Sequence, residues 1–308
     1  MYLESNPLSI SFAGLTLANP TILASGILGY SAESLSRVVK GGAGAVVTKS
    51  IGIAPRAGYS NPTVVQAESG LINAMGLPNP GIDVYAEEIK FSKTVLRVPV
   101  IVSVFGYSAE EYAAVAKKAV GAGADAVELN VSCPHVRQTG AEIGQSPKLL
   151  GEVVQQVKAA VNKPLIVKLS PNVSDIAVLA RAAVEAGADA LTAVNTLKAM
   201  AIDTETMLPI LSNVRGGLSG SAVKPVALRC VFDIHEALPD VPVIGCGGVE
   251  DWRDAVEFFL AGASAVQIGT AVADNTQVFG LVTKGVESYL RKKHFGSVKD
   301  LVGLAHHK

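Results

Sequence analysis

The sequence predicts a (β/α)8 TIM barrel with a short N-terminal β-hairpin, in which residues 1–308 form a single domain. Three features predict this fold: eight apolar strand-like runs, helical patterns between them, and a glycine-containing junction that recurs along the chain. A length of 308 residues is normal for one such barrel. The alternative is a doubly wound open sheet, which has the same alternation of strands and helices.

The predicted elements begin with a hairpin at residues 8–20, which we expect at the bottom of the barrel. The strand candidates that follow are continuously apolar, as parallel strands are when helices cover both faces of the sheet. They span 20–26, 45–50, 98–106, 126–133, 164–170, 190–196, 241–248 and 265–270. Helical patterns separate these runs, for example at 108–123, 173–187 and 251–262.

The recurring junction reads GGAGAVV, GAGADAVEL, EAGADALTA and LAGASAVQI, at 41–47, 121–129, 185–193 and 260–268. A glycine that ends a helix, followed by a short turn and a buried strand, produces this pattern. We interpret it as a repeated helix–strand unit.

Two connections, at 51–81 and 197–225, are much longer than the others. Both follow the carboxyl ends of predicted strands, the face where barrels carry their active sites. Long loops inside a compact domain are usually functional, so we expect both to contribute to a site.

The composition limits the classes of function. Hydrophobic residues make up 49% and charged residues 17%, so the chain can bury a large core. A net charge of −1 without an extended basic segment does not indicate nucleic-acid binding. There is no signal-peptide pattern and no apolar run of the ~20 residues that cross a membrane. The three cysteines form no metal-ligand cluster, so we expect a cytoplasmic protein without a metal site.

Small and polar residues end the predicted strands, and in a barrel these ends meet at one face. They include Lys49 and Lys168, whereas the nearest acid, Glu128, lies deeper in its strand. This arrangement disfavours a pair of catalytic carboxylates. No histidine ends a strand, so a Ser-His or Cys-His nucleophile is also poorly supported.

Lysines without acids suit an anionic ligand, and the glycines that end the last two strands suit a phosphate. Flavin mononucleotide (FMN) meets both requirements, with its ring over the barrel mouth. A lysine at the N1–O2 edge of a flavin stabilises the anionic reduced form, and we assign this position to Lys168. The asparagines at the strand ends offer donors and acceptors to a planar, amide-bearing substrate.

Cys133 follows the fourth predicted strand and precedes Pro134, which cannot donate a hydrogen bond to a sheet. A thiol at the end of a strand is positioned to meet a ligand. The alternative is an inert cysteine that acts as a small hydrophobic residue.

Together, several motifs resemble those of dihydroorotate dehydrogenases of the cysteine-dependent class 1, in particular the 1B form. The resemblance extends over nearly the whole chain. The motifs are ASGILG (24–29), TKS (48–50), NAMGLPNPG (73–81), NVSCP (130–134), VKLSPNVSDI (167–176), VNT (194–196), GGLSGSAVKPVAL (216–228), GCGGV (245–249) and IGT (268–270).

The resemblance implies an FMN enzyme that oxidises (S)-dihydroorotate to orotate in pyrimidine biosynthesis. Cys133 matches the general base that removes the C5 proton, while the C6 hydride passes to flavin N5. The residues that match substrate-binding positions are Lys49, Asn73, Met75, Gly76, Leu77, Asn130, Asn195 and Thr196. The residues that match flavin-binding positions are Ser25, Lys49, Ser50, Asn130, Lys168, Val194, Gly220, Gly247, Gly248, Gly269 and Thr270.

Two residues depart from the family pattern. His135 stands where the family often has Asn after the Cys-Pro pair, and Ser103 stands where it often has an Asn that contacts flavin. The resemblance therefore does not carry that contact over to Ser103. Residues 134–144, which include Gly140 and Gly144, are predicted to form a lid that excludes water.

The resemblance to the 1B form also implies an electron-transfer partner. A separate subunit with FAD and a [2Fe–2S] cluster would pass the electrons to NAD⁺, in a heterotetramer around a homodimeric core. This chain itself has no GxGxxG motif and no set of four cysteines for a cluster. The alternative within the family is a class 1A-type homodimer that reduces fumarate.

Three further interpretations remain open. One is another FMN barrel that acts on a reduced pyrimidine ring. The second is a non-flavin, phosphate-binding aldolase or isomerase in which Lys168 forms a Schiff base. The third is a barrel that binds a ligand without catalysis.

Overall fold

The computed structural model describes residues 6–131 and 143–307, and in it eight parallel strands close into a barrel. The strands are β1 (Ile10–Phe12), β2 (Leu15–Leu17), β3 (Thr21–Leu23), β4 (Ala45–Val47), β5 (Val64–Ala67), β6 (Gly70–Asn73), β7 (Val100–Val104), β8 (Ala126–Asn130), β9 (Leu165–Leu169), β10 (Ala190–Ala193), β11 (Leu197–Ala199), β12 (Ile202–Asp203), β13 (Leu208–Pro209), β14 (Gly216–Ser219), β15 (Val243–Cys246) and β16 (Ala263–Ile268). Around the barrel, β3, β4, β7, β8, β9, β10, β15 and β16 follow one another in chain order, and β16 pairs with β3. The predicted TIM barrel is confirmed. Seven of the predicted strands contain one of these eight strands, and the last, predicted at 265–270, overlaps β16 but begins two residues later.

Helices follow most of the barrel strands and cover the outside of the barrel. They are α1 (Ala32–Lys40), α2 (Ile82–Val95), α3 (Ala109–Gly121), α4 (Pro147–Ala160), α5 (Ile176–Glu185), α6 (Lys224–Ala237), α7 (Trp252–Leu260), α8 (Ala271–Asp274) and α9 (Val278–Lys293). Among the described residues, no helix combines the length and the apolar character needed to span a membrane.

The predicted hairpin is also present and lies at the bottom of the barrel. Strands β1 and β2 pair antiparallel, with their alternate apolar side chains buried in the main core. A Cβ added to Gly14, in the hairpin turn, would lie 3.8 Å from Pro164, which directly precedes β9. The hairpin therefore covers the amino ends of the strands and leaves the opposite face accessible.

The recurring junctions have the predicted local structure. Gly42, Gly123, Gly187 and Gly262 all adopt positive φ, between 104° and 115°. In the second junction the N–H of Gly123 bonds to the carbonyl of Val120, and the next N–H reaches back five residues. This is a glycine-terminated helix end, in which the left-handed conformation turns the chain directly into the next strand.

An aspartate in two of these junctions ties adjacent units together. Asp189 Oδ2 accepts hydrogen bonds from the backbone N–H of Leu165, at 2.7 Å, and from Lys158 Nζ, at 2.6 Å. Asp125 makes the equivalent contacts two barrel units earlier, with Lys93 of α2 and with the backbone N–H of Val100, the first residue of β7. Each carboxylate thus satisfies an N–H at the start of a barrel strand that would otherwise lack an acceptor.

The two long connections form a second sheet, which the sequence did not predict. Strands β5 and β6 come from residues 51–81 and strands β11 and β14 from residues 197–225, and they pair in the order β11-β14-β6-β5. A small apolar cluster, built on Ile72, Ala74 and Leu211, anchors this sheet. The strands have three or four residues each, too few for a periodic pattern, and β6 pairs with a strand more than 140 residues away.

Removal of the Asp189 carboxylate tests the role of the junction. We expect Asp189→Ala to lower the free energy of unfolding by about 1–3 kcal/mol, because a partly buried N–H loses its acceptor. The matched control is Asp83→Ala, which removes an exposed ion pair with Lys118 and should cost less than about 1 kcal/mol. Urea unfolding followed by circular dichroism measures both, and equal losses would contradict this role.

Candidate active site

A cavity of about 460 Å³ lies at the carboxyl ends of the barrel strands, beneath the second sheet. Residues at the ends of β3, β4, β8, β9, β10, β15 and β16 line its floor and walls, and residues of β6 and β14 contribute from above. The barrel topology explains this convergence, because all parallel strands end on the same face.

The cavity brings together every described residue that the sequence analysis assigned to a substrate or flavin site. These are Ser25, Lys49, Ser50, Asn73, Met75, Gly76, Leu77, Asn130, Lys168, Val194, Asn195, Thr196, Gly220, Gly247, Gly248, Gly269 and Thr270. Cys133 and His135 lie outside the described residues, as does most of the predicted lid at 134–144.

A buried polar network forms the base of the cavity. Lys168, which is 5% exposed, donates from Nζ to Gln267 Oε1 at 3.0 Å. Gln267 Nε2 in turn donates to Glu128 Oε2 at 2.6 Å, and Thr192 Oγ1 donates to the same oxygen at 2.9 Å. The second carboxylate oxygen, Glu128 Oε1, lies 4.0 Å from Lys168 Nζ.

Cys246 also belongs to this base, since it both lines the cavity and contacts Lys168. Burial raises the pKa of the Cys246 thiol, although the neighbouring ammonium opposes this. Burial also disfavours the charged form of Lys168, but its interactions with Cys246 and Glu128, which include a hydrogen bond to Cys246, outweigh this and raise the pKa of the lysine. At neutral pH the lysine is therefore an ammonium ion beside a protonated thiol.

A second network of serine and asparagine side chains crosses the cavity wall. Asn195 Nδ2 donates to Asn130 Oδ1 at 3.1 Å, and Asn130 Nδ2 donates to Ser50 Oγ at 3.0 Å. Ser50 Oγ lies 2.9 Å from Ser103 Oγ and 3.3 Å from Ser25 Oγ. These hydrogen bonds orient the Asn130 side chain, with its oxygen toward Asn195 and its nitrogen toward Ser50.

Ser103 is fully buried and does not line the cavity. It contacts Ser50 from behind, and its own N–H is bonded to Thr48 Oγ1 at 3.2 Å. Ser103, which departs from the family pattern, therefore supports the cavity wall through Ser50 and does not itself face the cavity.

The glycine-containing turns after β15 and β16 present backbone N–H groups that are suited to binding an anion. Within the described residues, the backbone N–H groups of Gly248, Val249 and Thr270 have no acceptor. A Cβ added to Gly269 would meet only Ala24 Cβ within 4 Å, at 3.4 Å, so the packing of the chain itself does not require glycine there. By contrast, Gly248 has φ +77° and is required by its own backbone conformation.

Sequence reasoning assigned no role to Gln267, Thr192 or Cys246. The available signal was a polar residue inside an apolar strand, such as Gln267 in AVQI. A buried amide requires partners, and here they come from three other strands of the barrel. The sequence does not state which strands face one another across the interior, so these partners were not predictable.

Comparisons with known proteins agree with this geometry. The family model described as dihydroorotate dehydrogenase matches residues 7–290. A relative from Methanosarcina acetivorans, named the catalytic subunit of dihydroorotate dehydrogenase B (NAD(+)), is 51% identical over 297 residues, which cover 96% of this chain and 95% of that protein. A relative of the same name from Pyrococcus abyssi is 54% identical over 299 residues, covering 97% and 99% of the two chains.

Among solved structures, the crystal structure of DHODH in complex with ferulenol from Eimeria tenella is similar, with a TM-score of 0.86. The match covers 100% of this chain and 91% of that chain at 23% sequence identity, and it therefore supports the fold. The family match and the two relatives establish that the chain belongs to the dihydroorotate dehydrogenase family.

Proposed function

We propose that this chain is the catalytic subunit of an enzyme that oxidises (S)-dihydroorotate to orotate in pyrimidine biosynthesis, in the cytoplasm. The observation that carries the proposal is the convergence of the assigned residues on one cavity. The names of relatives more than half identical to this chain support it.

The family is flavin-dependent, and the residues of the cavity fit FMN. The phosphate would be held by the backbone N–H groups near Gly248 and Thr270, which have no acceptor among the described residues. Gly269 would allow it to approach closely. The buried ammonium of Lys168 would lie at the pyrimidine edge of the ring and favour negative charge there.

The reaction removes a proton from C5 and a hydride from C6 of the substrate, and a C5=C6 double bond forms. When bound, FMN supplies the hydride acceptor. Cys133 takes the proton, since a thiol ionises near neutral pH far more readily than a hydroxyl.

The remaining residues bind and orient the substrate. Lys49 suits the substrate carboxylate, and the asparagines Asn73, Asn130 and Asn195 suit its ring amides. The bond between Asn195 and Asn130 fixes both amides relative to each other before a ligand enters. Such preorganisation reduces the entropy lost on binding.

The electrons then leave through a partner. Both relatives are named catalytic subunits of an NAD(+) enzyme, which supports a complex of more than one kind of subunit. We propose that the partner carries FAD and a [2Fe–2S] cluster and passes the electrons to NAD⁺, in a heterotetramer around a homodimer of this chain. Purification from native cells without an iron–sulfur flavoprotein, combined with fumarate-dependent turnover, would contradict this and favour the homodimeric class.

Replacement of the proposed base tests the chemistry. We expect Cys133→Ser to reduce the rate of flavin reduction by dihydroorotate by about 10²–10⁴-fold, because a hydroxyl is a much weaker base at neutral pH. Flavin content should be unchanged. Anaerobic stopped-flow absorbance measures the rate, and a Cys230→Ser variant, altered at a buried position of α6, is the control. A Cys133→Ser rate equal to that of the control would contradict the assignment.

Gly269 tests the phosphate site. We expect Gly269→Ala to weaken FMN binding by about 10–100-fold, since a displaced phosphate loses charge-assisted hydrogen bonds worth ~1.5–3 kcal/mol. The stability of the apoprotein should not fall, because the added Cβ has room. The matched control is Gly121→Ala, where an added Cβ meets no atom within 4 Å. FMN affinity, measured by quenching of flavin fluorescence, should be normal in the control, and equal affinities in both variants would contradict the site.

A further inference from the structure

Glu128 is a fully buried acid that the proposed chemistry does not use. Burial of a carboxylate is costly unless charges and hydrogen-bond donors compensate it. Its position on β8, facing the interior of the barrel, places it directly beneath the cavity rather than in it. Its contacts indicate what it does there.

The two oxygens of Glu128 have different surroundings. Oε2 accepts two hydrogen bonds, from Gln267 at 2.6 Å and from Thr192 at 2.9 Å. Oε1 is buried and has no hydrogen-bond partner among the described residues. The nearest cation, Lys168 Nζ, lies 4.0 Å from Oε1, within electrostatic range but beyond hydrogen-bond distance.

Gln267 explains this separation. Its amide oxygen accepts from Lys168 at 3.0 Å while its amide nitrogen donates to Glu128. The side chain therefore binds both members of the ion pair and offers the ammonium an alternative to direct contact with the carboxylate. Lys168 remains on the cavity wall, with a negative charge close behind it.

The charge of this group depends on Glu128. Among the described residues, Cys246 also contacts Lys168, and burial raises the pKa of that thiol, so it is neutral at pH 7. The Glu128 carboxylate, with Oε1 at 4.0 Å from Lys168 Nζ, is the acid that opposes the ammonium among the described residues. A charge near the pyrimidine edge of a flavin alters the stability of its anionic reduced form.

We propose that Glu128, held by Thr192 and Gln267, is a positioning residue that sets the effective positive charge of Lys168 at the cavity and thereby the reduction potential of the flavin. The inference rests on the proposed function, because it requires FMN in this cavity. The negative charge of Glu128 reduces the positive electrostatic potential that Lys168 produces at the cavity. Gln267 limits this reduction because it keeps the two charges apart.

The test is the midpoint potential of the bound flavin, measured by anaerobic dye equilibration in the holoenzyme and its variants. Glu128→Gln removes the opposing charge and should raise the equilibrium constant for two-electron reduction at least tenfold, which is about 30 mV. Gln267→Met lets Lys168 pair directly with Glu128, so it should lower this constant. The control is Thr192→Val, which removes one hydrogen bond without changing charge and should shift the constant less than threefold.

A double-mutant cycle separates this role from general disturbance of the core. In a Lys168→Met background, Glu128→Gln should no longer raise the equilibrium constant for flavin reduction, because the lysine charge that Glu128 opposes is absent. If Glu128→Gln does not fold, the Gln267→Met variant tests the inference alone. A lower equilibrium constant for flavin reduction supports the inference, and a higher one contradicts it.

Equal potentials in the wild type and all folded variants, or shifts of the same sign in Glu128→Gln and Gln267→Met, would overturn the inference and leave the proposed function intact. A wild-type protein that binds no flavin would overturn both.

Discussion

A positive charge buried in the interior of the barrel constrains the upper part of this structure. Lys168 projects inward from β9, where an ammonium without partners would be strongly destabilising. Glu128 comes from β8, Gln267 from β16 and Thr192 from β10, so four barrel strands must keep their relative positions for the network to form. Closure of the barrel provides this, since each strand is hydrogen-bonded on both sides.

The same closure connects the network to the cavity wall. In the pairing of β8 with β9, Asn130 is opposite Lys168, and Asn130 is bonded to both Ser50 and Asn195. A shift in the register of β8 would therefore disturb the charged base and the amide wall together. We infer that the chain achieves precise placement of ligand-binding groups by building them at the ends of barrel strands, and that it leaves the covering of the cavity to the second sheet.

The sequence predicted the parts of the structure that depend on local patterns. The glycine junctions, the apolar strands and the hairpin each have a signal within a few residues, and strand ends such as Lys49 and Gly247–Gly248 could be assigned to one face because of the barrel topology. The second sheet could not be predicted, because β6 and β14 are brief and distant in the chain. The partners of Gln267 could not be predicted either, because contacts across the barrel interior depend on how far neighbouring strands are shifted along one another. The resemblance assigned the site residues, but it offered no role for Glu128.

The central claim is that this cavity binds FMN and delivers electrons from dihydroorotate to it. The most direct test is an anaerobic absorbance spectrum of the purified chain before and after dihydroorotate is added. We predict a yellow protein whose visible flavin absorbance is lost on addition, as expected for a hydride acceptor in contact with the substrate. A flavin that stays oxidised in excess dihydroorotate, or a colourless protein that does not take up FMN, would contradict the account.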